Sequence, residues 1–182
     1  MNKSEKTKTK IFDEAKKLFW NYGYSNVSVR QIAKAAEIDV ALIARYYESK
    51  LGLFEATLSY AFDWSDSIDI NDGNIIEMYV GFLSESMDLK DETTIVKLII
   101  MNSSDPVVGD LVKNLSQKKM RNNILKGLKK ITPLQFDLMI ATLIGISQSR
   151  KTLKAPSLIS LKKNQYEKVV RHILKGAVSF KG

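Results

Sequence analysis

The stretch from Val40 to Tyr46 carries side chains that could read a DNA duplex. Arg45 can reach a phosphate or a guanine edge, and the small apolar side chains of Val40, Ala41 and Ala44 can meet the methyl group of thymine. Tyr46 completes the set predicted to face outward. The same pattern also fits any helix of a bundle that turns one arginine towards water, so the residues alone leave both interpretations open.

Two short helices joined by a tight turn would present these side chains. Ser28 and Gln31 form a capping-box pattern at the start of "SVRQIAKAA", and Asp39 can cap the helix "VALIARYY". Three residues, "EID", connect the two, which is the spacing of a helix-turn-helix. The side chains predicted to pack inward are Ile38, Ile43 and Tyr47.

Helical periodicity continues through the rest of the chain, and no strand-like alternation persists. An apolar stripe over 11–22 ends at Gly23, and Ser49 can cap a fourth helix that reaches Phe62. Later helices are predicted over 75–87, 95–101, 108–128, 132–150 and 163–178, and Thr132 with Pro133 starts the long apolar one. The predicted fold class is therefore all-α.

Charge is distributed unevenly along the chain, whose formal net charge is +8. Residues 1–54 carry ten lysines and arginines against six acidic residues, residues 55–110 two against twelve, and residues 111–182 sixteen against two. This basic head, acidic middle and basic tail indicate at least two functional regions and suggest a polyanionic partner. Lys3, Lys6, Lys8 and Lys10 are expected to form a flexible basic arm.

Several functional classes fit the sequence poorly. Cysteine is absent, which suits a reducing cytoplasm and leaves no disulfide or thiolate site, and we expect neither a signal peptide nor a membrane span. The chain has one histidine, His172, expected to be solvated on a polar helix face, and no glycine-rich phosphate loop or paired acids in a motif. We therefore expect no enzyme, no metal and no cofactor.

The segment from Ile11 to Phe54 resembles the DNA-binding domain of the TetR family of transcriptional regulators. The resemblance covers about a quarter of the chain and rests on many residues at fixed spacing. The matching positions are Ala15, Phe19, Gly23, Tyr24, Ser28, Val29, Ile32, Ala33, Ala36, Ile38, Ile43, Tyr46, Tyr47, Ser49, Lys50 and Leu53. The resemblance implies a three-helix helix-turn-helix head over residues 1–54, followed by a helical ligand-binding and dimerisation domain over 55–182.

The resemblance also implies roles for individual residues on double-stranded DNA. Ser28 and Arg30 would approach the DNA backbone, and Tyr46 and Lys50 would hold phosphates. The residues implied to face bases are Val40, Ala41, Ala44 and Arg45. The chain departs from the family pattern at Glu37, where glycine is usual, at Ala44, where tyrosine is usual, and at Leu51, where glutamate is usual.

A homodimer on a palindromic operator, released by a small-molecule inducer, is the further implication of the resemblance. The family builds its dimer from the last two long helices, here 133–150 and 163–178. Ala141, Gly145 and Ser149 form a ridge of small residues that suits either core packing or a partner. The expected interface comprises Ala141, Gly145, Ser149, Val170, Ile173 and Leu174. The expected pocket comprises Met78, Tyr79, Phe82, Met87, Met101, Phe136 and Met139, although for any one of them alone the pattern favours plain core over pocket lining.

The alternative function is a helical interaction or ligand-binding protein that has this fold without specific DNA binding. Glu37, Ala44 and the acidic residues near the predicted turn favour that alternative. A salt-dependent gel shift on the DNA that flanks the coding region would separate the two hypotheses.

Overall fold

The computed structural model describes residues 2–63, 69–85 and 94–181. These residues are helical apart from their turns and loops, and no strand occurs among them, which confirms the predicted all-α class. The chain divides into two compact units, Met1–Ser67 with Thr93–Met120 and Ile68–Glu92 with Arg121–Gly182. We refer to them as the first unit and the second unit.

The first unit is built around the long helix α1 (Lys3–Tyr22). This helix packs against α2 (Val29–Ala35), α4 (Lys50–Phe62) and α6 (Ile95–Asn102). Its core includes the buried rings of Phe19, Tyr24 and Phe54, and Phe54 meets the other two rings edge-on at centroid distances of 5.3 and 5.2 Å. The helices are α1 (Lys3–Tyr22), α2 (Val29–Ala35), α3 (Ala41–Tyr47), α4 (Lys50–Phe62), α6 (Ile95–Asn102) and α7 (Gly109–Leu115). A π-helical turn, Ser116–Arg121, follows α7.

The second unit contains three longer helices, of which α11 packs against both α5 and α9. Apolar faces account for this packing, because Tyr166, Val170 and Leu174 of α11 and Phe136 and Met139 of α9 are all buried. Its helices are α5 (Ile75–Glu85), α8 (Asn122–Gly127), α9 (Pro133–Lys151), α10 (Pro156–Ile159) and α11 (Lys163–Ser179).

The predicted helix boundaries rest on local hydrogen bonds that the structure contains. Ser28 and Gln31 form a reciprocal capping box at the start of α2, and Thr132 and Gln135 form another at the start of α9. The hydroxyl oxygen of Ser49 accepts from the Gly52 amide at the start of α4. These three predicted helix starts are confirmed.

The expectation of a flexible arm at the beginning of the chain is wrong. Residues from Lys3 onward are helical, because Asn2 and Glu5 form a capping box that starts α1 well before the apolar stripe begins at Ile11. The basic side chains of this segment therefore stand on an ordered helix.

The first unit is larger than the segment 1–54 proposed from the sequence as the DNA-binding domain. It also includes α4, α6 and α7, because α1 uses part of its apolar surface to pack on α6. Within the part of the chain that the structure describes, no helix is both long and apolar enough to cross a bilayer.

Candidate DNA interface

The turn between α2 and α3 adopts the tight geometry that the sequence predicts. Ile38 donates its amide hydrogen to the Ala33 carbonyl, and Glu37 takes a left-handed backbone with φ of 50°. Glycine adopts this conformation without steric cost, whereas a residue with a Cβ does not. The family pattern therefore has a physical reason for glycine at the position that Glu37 occupies.

Lys10 of α1 compensates the charge of Glu37. The Lys10 Nζ lies 2.7 Å from Glu37 Oε2. This hydrogen bond and the positive charge of the Lys10 ammonium lower the pKa of the Glu37 carboxyl. Both side chains are largely exposed, so the pair contributes little stability. Its local consequence is that Glu37 does not present an uncompensated negative charge beside α3.

Helix α3 divides its side chains between the protein core and solvent as predicted, except that Tyr46, predicted to face outward, is half-buried and packs against the core of the first unit. Ile43 is buried, and Ile38 and Tyr47 pack against the core of the first unit. The Asp39 carboxylate accepts from the Ala41 amide at 2.8 Å. Val40, between these two residues, has helical backbone torsion angles although α3 begins at Ala41. The side chains left exposed on α3 and its first turn are Val40, Ala41, Ala44 and Arg45.

The exposed face of α3 combines small apolar groups with one cation. Arg45 lies with its guanidinium carbon 5.9 Å from the centre of the Tyr46 ring, and its side chain carries a positive charge. A guanidinium can donate two parallel hydrogen bonds to a guanine edge, while alanine and valine fit against thymine methyl groups. The arrangement can therefore make both polar and apolar contacts in a major groove.

Tyr46 is held in place by the first turn of α1. Its hydroxyl shares a hydrogen bond of 3.0 Å with Ser4 Oγ, and the neighbouring Tyr47 hydroxyl donates to the Lys8 carbonyl at 3.0 Å. Neither contact is predicted from the sequence, although the Asn2 and Glu5 spacing is a capping-box pattern from which α1 could be extended to Ser4. Tyr46 is half-buried as a result.

The remaining candidates for phosphate contact lie at the starts of α2 and α4. Ser28 and Arg30 are exposed, and the Ser28 hydroxyl is engaged in the capping box of α2. Lys50 is half-buried, with its Nζ 4.0 Å from the centre of the Tyr24 ring. Burial lowers the pKa of Lys50, and the negative charge of Asp105 opposes that effect.

The candidate pocket residues do not all belong to one unit. Met101 lies in the first unit, where it is exposed and lines an open groove of about 470 Å³ with Leu18, Asn21, Tyr22, Asn26, Val27 and Gln31. Met78, Tyr79, Phe82, Phe136 and Met139 lie in the second unit. Met87 falls outside the described residues.

Within the second unit the candidate pocket residues differ in exposure. Phe136 and Met139 are buried, Met78 is half-buried and Phe82 is exposed. The Tyr79 hydroxyl is buried and has no hydrogen-bond partner among the described residues, and burial raises the pKa of Tyr79. An unpaired buried hydroxyl is the feature of this set that invites a polar group from a ligand.

Two of the six candidate dimer residues face the interior of their own unit. Val170 and Leu174 are 1% and 0% exposed, because α11 turns them towards its neighbouring helices, so they offer no surface to a partner. Ala141 and Gly145 are exposed on α9, Ser149 is half-buried, and Ile173 is 38% exposed on α11. The candidate interface is therefore reduced to these four residues.

Comparison with known proteins finds a family model that matches the helix-turn-helix segment. Residues 11–57 match the model of the family described as "Bacterial regulatory proteins, tetR family". The probable HTH-type transcriptional regulator YttP of Bacillus subtilis (strain 168) is 40% identical over 70 residues, which are 38% of this chain and 34% of that protein. The match thus spans about a third of the length of that relative.

Solved structures share the fold over nearly the whole chain. A tetR-family transcriptional regulator from Streptomyces coelicolor has a TM-score of 0.64 at 18% identity, covering 97% of this chain and 82% of the other. A TetR-like transcriptional regulator from Rhodococcus sp. RHA1 has a TM-score of 0.57 at 17% identity, covering 96% and 97%. Residues 11–57 therefore match the tetR family model, and the chain shares the fold of these two regulators, which confirms the resemblance and the fold predicted from the sequence.

Proposed function

We propose that this protein is a TetR-type DNA-binding transcriptional regulator in which α3 reads the major groove. The proposal rests on the two faces of α3, which lies in the family-matched segment. Ile43 is buried on one face, and Ala41, Ala44 and Arg45 are exposed on the other. Arg30, Tyr46 and Lys50 supply polar groups around this face. Phosphate contacts would position α3, and the exposed face would read the bases.

A gel shift on the DNA that flanks the coding region tests this function. We expect a complex at low salt whose affinity falls steeply as salt rises, because cations on the protein replace counterions on the phosphates. A random duplex of equal length is the control and should bind more weakly. The absence of any shift at low salt would contradict DNA binding.

The alternative function is a helical interaction protein without specific DNA binding. Two exposed acidic residues beside α3, Asp39 and Glu48, favour this alternative, whereas the charge of Glu37 is compensated by Lys10. Equal affinity for the flanking DNA and for the random duplex, or no affinity for either, would support it.

We further propose a homodimeric repressor that binds a palindromic operator. Two copies of α3 must lie about 34 Å apart to enter successive major grooves on one side of the duplex. The exposed residues Ala141 and Gly145 allow α9 of a second copy to approach closely. Ala141→Arg should give a monomer by light scattering, whereas Ser157→Arg on exposed α10 should leave the dimer intact; a dimeric Ala141→Arg protein would exclude this ridge.

The proposed inducer site lies in the second unit, around Tyr79. Its unpaired hydroxyl could form a hydrogen bond with a ligand, and Phe136 and Met139 are buried apolar side chains of the same unit. A ligand would act by binding the DNA-free state more tightly than the DNA-bound state. For any compound that releases the protein from DNA, Tyr79→Phe should weaken that release, and unchanged release would remove Tyr79 from the site.

A further inference from the structure

The turn between α1 and α2 lies directly against the end of α6. Gly23 ends α1 with a φ of 84°, and a Cβ at this position would lie 3.1 Å from the Met101 carbonyl oxygen. Helix α6 lies outside the segment that matches the tetR family, so nothing in the resemblance connects it with DNA binding. The close approach nevertheless makes α6 part of the support of the helix-turn-helix.

Asn102, the last residue of α6, connects three segments through its buried amide. The side chain is fully buried, and its Oδ1 accepts from the Tyr24 amide at 2.7 Å. Its Nδ2 donates to the carbonyl of Phe19 at 3.2 Å and to that of Leu98 at 2.9 Å. The end of α1, the following turn and α6 are thus tied by one side chain, in a setting where an unpaired backbone group is costly.

Asp105 makes a second connection to the same turn. One carboxylate oxygen, Oδ2, accepts from the Ser25 amide at 3.0 Å, while Oδ1 accepts from the amides of Val107 and Val108 at 2.9 and 3.2 Å. Burial alone would raise the pKa of Asp105, but these hydrogen bonds outweigh it and leave the pKa below its ordinary value. The carboxylate is therefore charged at neutral pH.

Tyr24 and Ser25, whose amides pair with Asn102 and Asp105, lie next to candidate phosphate contacts. Ser25 comes three residues before Ser28, the N-cap of α2. The ring of Tyr24 lies under the Lys50 ammonium, 4.0 Å from ring centre to Nζ, so the position of Tyr24 limits where Lys50 can point. A shift of Tyr24 and Ser25 would move both the start of α2 and the support of Lys50.

We propose that Asn102 and Asp105 are positioning residues for DNA binding, which fix the α1–α2 turn and, through Tyr24, the Lys50 ammonium. The proposal rests on the proposed DNA-binding function. Under this proposal the DNA-binding element is discontinuous in sequence. The family match ends at residue 57, but α6 and the turn after it also support the DNA-binding helices.

Asp105→Ser is the informative variant, and Asp110→Ser is its matched control. Serine at 105 can still cap Val107 and Val108, but it is too short to reach Ser25 as well. Asp110 lies five residues further on, is exposed and pairs with Lys113, so its replacement makes the same charge change without touching the turn. Should Asp105→Ser fail to fold by circular dichroism, Asp105→Asn keeps the side-chain volume and one carbonyl oxygen and takes its place.

DNA affinity measured by fluorescence anisotropy on the flanking duplex gives the first readout. Removing a negative charge near DNA strengthens binding by electrostatics alone, and Asp110→Ser measures that effect. Asp105→Ser should instead bind about tenfold more weakly than Asp110→Ser, because a charge-assisted hydrogen bond that positions the turn is lost. Equal or tighter binding by Asp105→Ser would overturn the proposal.

The second readout is the effect of Lys50→Ala on DNA affinity, measured in the natural sequence and in Asp105→Ser. A general loss of stability would not reproduce the expected pattern. Lys50→Ala should weaken binding several-fold in the natural sequence and have little further effect in Asp105→Ser, because an unsupported Lys50 no longer contributes. An equal loss in both backgrounds would contradict the role assigned to Asp105.

Amide hydrogen exchange of the DNA-free protein separates failure of this inference from failure of the proposed function. The amide of Ser25 should exchange faster in Asp105→Ser than in Asp110→Ser, whether or not the protein binds DNA. Faster exchange without any DNA binding would support the contact and contradict the DNA-binding function. Unchanged exchange would overturn the proposal itself.

Discussion

Each unit has a polar contact that joins helices distant in sequence, and the two contacts lie in opposite environments. In the first unit, the fully buried side chain of Asn102 hydrogen-bonds to backbone groups of α1, α6 and the turn between α1 and α2. In the second unit, Arg171 of α11 forms a two-bond ion pair with Glu77 of α5 at 2.6 and 2.8 Å on the surface. Water can replace the second contact far more easily than the first.

The buried or exposed setting of a polar contact decides whether it can fix the position of the backbone. A buried amide leaves unpaired groups behind when it is removed, so its geometry is enforced. A surface ion pair is screened by water and salt, so the buried apolar faces of α5, α9 and α11 must account for the packing of the second unit. We expect mutations to separate the two kinds of contact clearly.

The largest effect is expected from Phe54→Ala in the first unit. Phe54 is fully buried and meets the rings of Phe19 and Tyr24 edge-on, so its truncation leaves a cavity and should lower the free energy of unfolding by about 3–5 kcal/mol. Urea denaturation followed by circular dichroism measures the change. Leu51→Ala, on the exposed side of the same helix, is the control, and a similar loss in both variants would contradict the proposed core.

Asn102→Ala tests the buried polar contact directly. It leaves the Tyr24 amide and two carbonyl groups without their partner and should lower the free energy of unfolding by about 3 kcal/mol. Asn114→Ala removes an asparagine side chain at an exposed position of α7 and should change stability little. Two equal denaturation midpoints would mean that the buried amide does not stabilise the first unit.

Tyr79→Phe should have the opposite sign, since it removes an unpaired polar group from the second unit. The buried hydroxyl has no partner among the described residues, so its deletion should raise the free energy of unfolding by about 1 kcal/mol. Tyr22→Phe, at an exposed position, provides the comparison. A loss of stability in Tyr79→Phe would show that the hydroxyl is satisfied.

The smallest effect is expected from the surface pair of the second unit. Arg171→Ala and Glu77→Ala should each shift the thermal midpoint only slightly, and the double variant should show little coupling at high salt. Thermal unfolding at low and high ionic strength measures both quantities. Strong coupling that persists in high salt would place this contact in the same class as Asn102.

Local signals account for what the sequence predicted correctly. The capping residues Ser28, Ser49 and Thr132 each accept from an amide three residues away, and the inward set on α3 follows from helical periodicity. The family resemblance added the identity of the head, because its positions recur at fixed spacing.

Contacts between distant parts of the chain account for what the sequence missed. Asn102 and Asp105 pair with residues 78 and 80 positions away, and no local pattern announces such partners. The basic composition of the first residues suggested a solvated arm, whereas Ser4 and Lys8 in fact contact the tyrosines of α3. Burial of Val170 and Leu174 likewise depends on which face α11 turns towards α5 and α9.

The exposed face of α3 is the central claim, and Arg45→Ala tests it most directly. Binding to the duplex that shifts most strongly and to a random duplex should be measured side by side by fluorescence anisotropy at one salt concentration. If Arg45 reads a base, the variant should lose about 1–3 kcal/mol of binding free energy on the specific duplex and much less on the random one. An equal loss on both duplexes would contradict base reading by α3 and reduce Arg45 to a phosphate contact.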